Sequence, residues 1–280
     1  MPNNMKKRLV PFGLYISYFL VGLFFIFPLI WVLSLSFKTS QELYNVPPNL
    51  IPDSLQFDNY KYVIENNDIL IYLANSAQIV TLTVILTLII ALPAAFALSR
   101  YRFKLKGLVL LSIILTQMIS AVVISIPLYR LFAQWGLINN FFMLIIVYVA
   151  VVLPFSTWFL KGYFDTIPKE LDEAAIVDGC NRFQILTKVL LPSSMPGIVS
   201  VTLLVAVQSW SQFVIPFILL DMQSSYPVSV GIVNLQSTQQ AVTTHYLAAG
   251  SILSILPVII LFVILQRFIV GALTSGAVKG

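Results

Sequence analysis

The sequence predicts an all-α, polytopic membrane protein, and three observations carry that prediction. Of its 280 residues, 59% are hydrophobic and only 10% are charged, whereas a soluble domain carries about a quarter charged residues. Residues 9–37, 69–99, 107–129, 131–160, 189–220 and 246–266 contain no Asp, Glu, Lys or Arg. Each is long enough for the ~20-residue helix that crosses a bilayer core. The ~10-residue alternating strands of an outer-membrane barrel do not appear, and disorder is excluded because it needs low hydrophobicity with high net charge.

The elements follow in order, as one transmembrane domain over residues 1–280. Span one, near 13–37, follows Lys6, Lys7 and Arg8 as a signal peptide would. Its length, about twice a signal h-region, and the lack of an A-x-A pattern make it a retained anchor. An outer segment, Lys38–Leu73, holds Pro47, Pro48 and Pro52 and a helical stretch from Asp58. Span two covers about 74–99, span three 107–130 and span four 138–160. A long inner connection, 161–195, precedes span five at 196–220. A Gln-, Ser- and Thr-rich outer segment, Asp221–Tyr246, leads to span six at 247–267.

Charge placement orients these six spans. With both termini inside, the inner segments hold 13 basic residues: Lys6, Lys7, Arg8, Arg100, Arg102, Lys104, Lys106, Lys161, Lys169, Arg182, Lys188, Arg267 and Lys279. The outer segments hold 3, namely Lys38, Lys61 and Arg130. This is the positive-inside asymmetry. Arg100–Lys106 could be read as a basic patch for anionic partners, but topogenic charge accounts for it, and no nucleic-acid partner is expected.

The span interiors limit the mechanism. Ion-coupled carriers hold their ion on ionisable groups at membrane depth; here Arg130 and Asp221 sit at span ends and nothing charged lies between. Na⁺ sites made of backbone carbonyls stay open. No G-x-x-x-x-G-K-[ST] loop is present, so ATP is not held in the P-loop manner, and uphill transport would draw energy from another polypeptide. Cys180 alone makes no disulfide, His245 alone makes no His-based site, and no Cys/His cluster has metal-ligand spacing.

Uncharged polar residues do occupy the spans, among them Asn75, Ser76, Gln78, Gln117, Ser120, Ser125, Gln208, Ser209, Ser211 and Gln212. Prolines 93, 127, 154, 216 and 257 free carbonyls or bend helices there. Any one of these groups could simply bond between helices. Together they suit a path for a neutral, hydroxyl-rich solute, with Asn75, Gln117, Trp210 and Gln212 as candidate contacts. Trp210 has the competing reading of an interfacial anchor.

The inner connection carries the sharpest pattern. In residues 167–180, Pro168 suits a first helical position, and Glu170, Asp172 and Glu173 suit the positive end of a helix. Gly179 is a left-handed stop. The spacing predicts a helix of about three turns, then a second helix capped by Asn181 through Lys188, with Pro192 and Pro196 breaking the chain before span five. Small residues Ala174, Ala175 and Gly179 allow a partner's groove to approach closely. Asp172 and Glu173 could be a paired-carboxylate catalyst, but a solvated helix N-terminus explains them.

At this point the sequence resembles a known family. Glu173-Ala174-Ala175, then Gly179, then Val189-Leu190-Leu191-Pro192 matches the E-A-A-x₃-G-x₉-I-x-L-P signature of permease subunits of bacterial ATP-binding-cassette importers, with Val189 in place of Ile. The resemblance extends to carbohydrate permeases of the maltose-system second-subunit type. It is carried by Asp58-Asn59-Tyr60, Asn75-Ser76, Ala94–Arg102 and Ile167–Glu173, and by the ending Gly276-Ala277-Val278-Lys279-Gly280. Where that family has Asn then Asp or Glu after the tryptophan, this chain has Ser211 and Gln212.

The resemblance implies a type I importer fold and a non-catalytic subunit of the bacterial inner membrane, binding no cofactor itself. It implies a heterodimer with a second permease, two copies of a cytoplasmic ATPase that uses ATP and Mg, and an external sugar-binding protein. Span one would wrap the partner permease. Glu173, Ala174, Ala175, Asp178, Gly179 and Pro192 would couple to the ATPase, as would the tail residues Val278, Lys279 and Gly280. Rival readings are a related permease for a peptide or polyamine and an ion-coupled transporter acting alone.

Overall fold

The computed structural model describes the backbone of residues 3–235 and 244–277, and the side chains of residues 14–233, 235 and 244–267. Among the described residues the regular structure is entirely helical. Chain packing sorts into two units, Met1–Ile69 with Ile232–Ile255, and Leu70–Gly231 with Leu256–Gly280.

In the first unit, α1 (Asn3–Ser36) contains a membrane-length apolar stretch, Leu14–Ser36, whose most apolar window buries no residue within the chain. The segment after it is tied down by polar contacts. Lys38 is buried, donates from Nζ to the Asn49 carbonyl and lies 5.3 Å from the Trp31 ring. Asn59, in α2 (Asp58–Asn66), donates to the carbonyls of Ser36 and Lys38 at 2.9 Å each. The Asn49 carbonyl and the Trp31 ring face offset the cost of burying this ammonium charge.

The second unit carries most of the spans. Its helices are α3 (Ile69–Arg100), α4 (Lys106–Gln117), α5 (Ala121–Gln134), α6 (Phe141–Asp165), α7 (Glu170–Val177), α8 (Arg182–Gln184), α9 (Leu191–Ser193), α10 (Met195–Trp210) and α11 (Val214–Leu219), while α12 (Val228–Asn234) begins in it and ends in the first unit. The last helix, α13 (Thr244–Ala277), begins in the first unit and continues into the second. Among the described residues, four helices are long and apolar enough to cross a membrane alone: Leu14–Ser36, Ile69–Arg100, Phe141–Asp165 and Thr244–Arg267. The count reaches six when two bent helix pairs, Lys106–Gln117 with Ala121–Gln134 and Arg182–Ser193 with Met195–Trp210, are each taken as one span.

Spans three and five differ from the sequence expectation. Span three, expected continuous over 107–130, is broken after Gln117, and α4 and α5 meet at 92°. Ser120 supplies the break, because its hydroxyl caps α5 by accepting from the Val122 N–H at 3.3 Å, a local bond that competes with helix continuation. Span five, expected over 196–220, stops at Trp210 and resumes at Val214. Pro216 has no N–H to give the Gln212 carbonyl, and its ring would crowd that carbonyl in a continuous helix. The freed carbonyl is taken instead by the Ser229 hydroxyl at 2.7 Å.

Two apolar cores hold this unit. One joins Ala91, Ala95 and Phe96 of α3, Leu160 and Phe164 of α6, and Val201 and Val205 of α10 to Ala175, Ile185, Leu186 and Leu190 of the connection between α6 and α10. The other joins Ile79, Phe132, Leu144, Ile145, Ile215 and Leu219. Beside the second core, Asn139 adopts φ 63°. Its carboxamide oxygen accepts the N–H groups of Asp221 and Met222 at 2.6 and 3.0 Å, so the α5–α6 turn grips the end of α11.

Candidate docking loop and polar recess

The first core places residues 161–195 on a fixed base. Arg100, the last residue of α3, has a side chain only 6% exposed. Its Nη1 donates to the Phe164 carbonyl at 3.0 Å and its Nη2 to the Ile167 carbonyl at 3.1 Å. Its Nε stands 2.5 Å from Asp172 Oδ2. That last contact is an ion pair without hydrogen-bond angles, and Asp172 Oδ1 has no hydrogen-bond partner. Alongside, the Ser99 hydroxyl donates to Asp165 Oδ1 at 2.7 Å, and Lys161 pairs with Asp165 one turn away at 2.6 Å.

Asp172 is therefore buried and paired, where the sequence read it as a solvated helix end. The alternation explains it. With α7 beginning at Glu170, Asp172 and Ala175 share the inward side, while Leu171, Glu173, Ala174, Ile176, Val177 and Asp178 are exposed. The helix is two turns rather than three and starts two residues after Pro168. Of the two adjacent alanines, only Ala174 faces outward; Ala175 belongs to the core.

The stop after α7 is a left-handed one, as the glycine predicts. Gly179 has φ +83°; its N–H donates to the Ile176 carbonyl at 3.0 Å, and the Cys180 N–H reaches the Ala175 carbonyl at 2.9 Å. This pair of bonds is the Schellman closure, which favours a residue lacking Cβ. Asn181 then starts the next helix with a reciprocal cap: its Oδ1 accepts from the Gln184 N–H at 2.9 Å, and Gln184 Oε1 accepts from the Asn181 N–H at 2.8 Å.

Helix follows from Arg182 to Ser193, with a π-helical stretch at Ile185–Leu190. Pro192 lies in its last turn rather than ending it; the chain turns at Ser194, by 81° into α10. Gly197, one turn into α10, lies so close to Tyr163 that an added Cβ would stand 2.5 Å from the ring.

The outward side of this loop is apolar at its edges and acidic between. Leu171, Ile176, Val177 and Phe183 are exposed, Val177 at 87% and Phe183 at 72%, and Glu170, Glu173 and Asp178 are exposed among them. A helix pair braced from behind, with apolar side chains and carboxylates in front, has the chemistry of a docking surface. Among the described residues no group of three or more His, Cys, Asp or Glu side chains could hold a metal ion. The tail residues Val278, Lys279 and Gly280 lie outside the described residues.

The polar pathway candidates are distributed over different places. Gln208, Ser209, Ser211 and Gln212 line one recess of about 240 Å³ with Tyr148, Val151 and Val152, and the buried Ser209 hydroxyl has no hydrogen-bond partner. Trp210 turns to another side, lining a recess of about 190 Å³ with Ala77, Thr81 and Pro257. Gln117 edges an apolar cleft of about 450 Å³ between α4, α5 and α6. Asn75 donates both amide hydrogens to the carbonyls of Ser224 and Tyr226, at 2.8 and 3.0 Å, and so pins the segment after α11. Sequence reasoning missed Tyr148 and the Arg100–Asp172 pair. A tyrosine among apolar residues and a basic residue at a span end each had a sufficient simpler reading.

Comparison with known proteins agrees with this architecture. The family model described as the binding-protein-dependent transport system inner membrane component matches residues 84–274. The chain is 32% identical to the inner membrane ABC transporter permease protein YcjP of Escherichia coli K12, over 98% of this chain and 99% of that one. It is 31% identical to the trehalose/maltose transport system permease protein MalG of Thermococcus litoralis, over the whole of both chains. To the diacetylchitobiose uptake system permease protein DasC of Streptomyces coelicolor it is 31% identical, over 91% and 92%. In fold it is similar to a chain of a bacterial ABC transporter involved in import of the acidic polysaccharide alginate. That match has TM-score 0.79 and 23% identity, covering 94% of this chain and 97% of that one.

Proposed function

The chain belongs to the family of binding-protein-dependent transport system inner membrane components, and from that premise we propose that it is the membrane-spanning subunit of an ATP-driven sugar importer, with an oligosaccharide as the favoured solute. Relatives named for trehalose/maltose, diacetylchitobiose and galactooligosaccharide transport support the sugar class. The recess lined by Gln208, Ser211, Gln212 and Tyr148 has the neutral hydrogen-bonding groups that hydroxyls need. In this reading a second permease shares the path, an external sugar-binding protein delivers the solute, and ATP with Mg is used by two copies of a cytoplasmic ATPase. The chain itself does no bond chemistry.

The observation that carries the reading is the braced loop: α7 and α8 present Leu171, Glu173, Ala174, Ile176, Val177 and Phe183 outward, while Ala175, Ile185 and Leu190 root it in the helix core. ATPase closure is proposed to push on that outward side and to be carried by the core into α3, α6 and α10. In this reading the loop and both termini are cytoplasmic, which the basic-residue asymmetry supports.

Reconstitution tests this directly. Proteoliposomes holding both permeases and the ATPase, supplied with the binding protein and labelled oligosaccharide, are expected to accumulate sugar only with ATP. Accumulation by this chain alone, driven by an ion gradient, would establish the ion-coupled reading instead.

A further inference from the structure

We propose that Arg100 and Asp172 are a positioning pair that ties the coupling loop to the end of α3, so that displacement of α7 is passed into α3 as well as into α6; this rests on the coupling reading above. Three features of the contact argue for more than stability. First, the guanidinium is used on three sides: it holds the carbonyls of Phe164 and Ile167 at the end of α6, at 3.0 and 3.1 Å, and Asp172 of α7 at 2.5 Å. One side chain from α3 thus joins the last turn of α6, the turn that follows it and α7, and its planar fork is what lets it do so. Second, the pair is buried, with side chains 6% and 9% exposed. A buried ion pair contributes little to stability over an apolar replacement, because desolvation offsets the attraction, yet removing one partner alone is strongly unfavourable. Such a pair penalises separation of α7 from α3 steeply. Third, Asp172 Oδ1 is left without a hydrogen bond, so the Asp172 carboxylate is held by this one contact and lacks a satisfied network that would keep it in place without Arg100.

The neighbouring Lys161–Asp165 pair serves as the contrast. It lies within a single helix turn and is 22% and 40% exposed, so it cannot carry force between elements and is expected to matter little.

The test uses the complete reconstituted complex and reads two quantities for each variant: the amount of ATPase that co-purifies, and the sugar taken up per ATP hydrolysed. Asp172→Asn, nearly isosteric, and Arg100→Met are expected to retain the ATPase within twofold of wild type while lowering uptake per ATP at least tenfold. Asp172→Glu, which keeps the carboxylate, is expected to stay within threefold, and Lys161→Met to match wild type. Asp172→Asn decides the matter by itself where Arg100→Met fails to accumulate in the membrane. Uptake per ATP within twofold of wild type in Asp172→Asn would overturn the proposal. So would a loss of ATPase binding in proportion to the loss of uptake, because the pair would then only shape the docking surface. A wild-type complex that retains no ATPase would instead refute the coupling reading itself, and the two failures are distinguishable.

Discussion

Replacing Gly179 isolates the contribution of backbone shape to the loop. Its φ of +83° is in the left-handed region, and a Cβ built there meets nothing within 4 Å. The whole effect of Gly179→Ala on this chain is therefore conformational, about 1–2 kcal/mol for an L-residue in that region. That is about a 5- to 30-fold shift against the native loop. Asparagine tolerates the left-handed region better than alanine, so Gly179→Asn is expected to lose less despite its larger side chain. Gly179→Arg adds a long cation to the exposed side and is expected to lose most. The assay is binding-protein-stimulated ATP hydrolysis in reconstituted complexes, with permease abundance in the membrane as the control. The expected order is wild type, Asn, Ala, Arg. Equal activity of the Asn and Ala variants, or wild-type activity in Gly179→Ala, would refute the backbone argument.

Other outcomes follow from the same geometry. Gly197→Ala drives a methyl into the Tyr163 ring, and overpacking of this kind costs about 1–3 kcal/mol; thermal unfolding of the purified permease should shift down, and Tyr163→Leu should restore part of the loss. Cys180, half-buried behind the α7 stop, is expected to escape membrane-impermeant thiol reagents added outside intact cells and to react in inverted vesicles; labelling from outside would overturn the six-span orientation. Gln212→Ala is expected to reduce sugar uptake more than complex assembly, and more than Trp210→Ala does, because Gln212, unlike Trp210, lines the recess beside Tyr148; equal uptake in all three proteins would return that recess to a packing role.

The helices were legible where one physical signal dominates. Charge-free runs located α3, α6 and α13 because bilayer length and apolarity decide those elements, and Gly179 and Asn181 marked the loop's turns because cap chemistry is local. The breaks in spans three and five were less visible. Ser120 and Pro216 are compatible with a continuous span in composition, and their effect depends on whether a nearby group, such as the Ser229 hydroxyl, takes the freed carbonyl. The side on which each loop residue falls was also out of reach. Packing on the core turns Asp172 and Ala175 inward and leaves Glu173 and Ala174 outside. The Arg100–Asp172 contact joins residues 72 positions apart, and no local pattern encodes a pairing of that kind.

The most direct measurement of the central claim is ATPase retention by Glu173→Lys. Glu173 is exposed on the outward side of α7, outside the buried base, so reversing its charge leaves the fold of this chain intact. Losing a carboxylate's partner at a desolvated interface costs about 2–5 kcal/mol, roughly 30-fold or more in affinity. The account predicts that the variant reaches the membrane at wild-type level and assembles with its partner permease, but loses most of its co-purifying ATPase. Full ATPase retention with wild-type sugar-stimulated hydrolysis would contradict it.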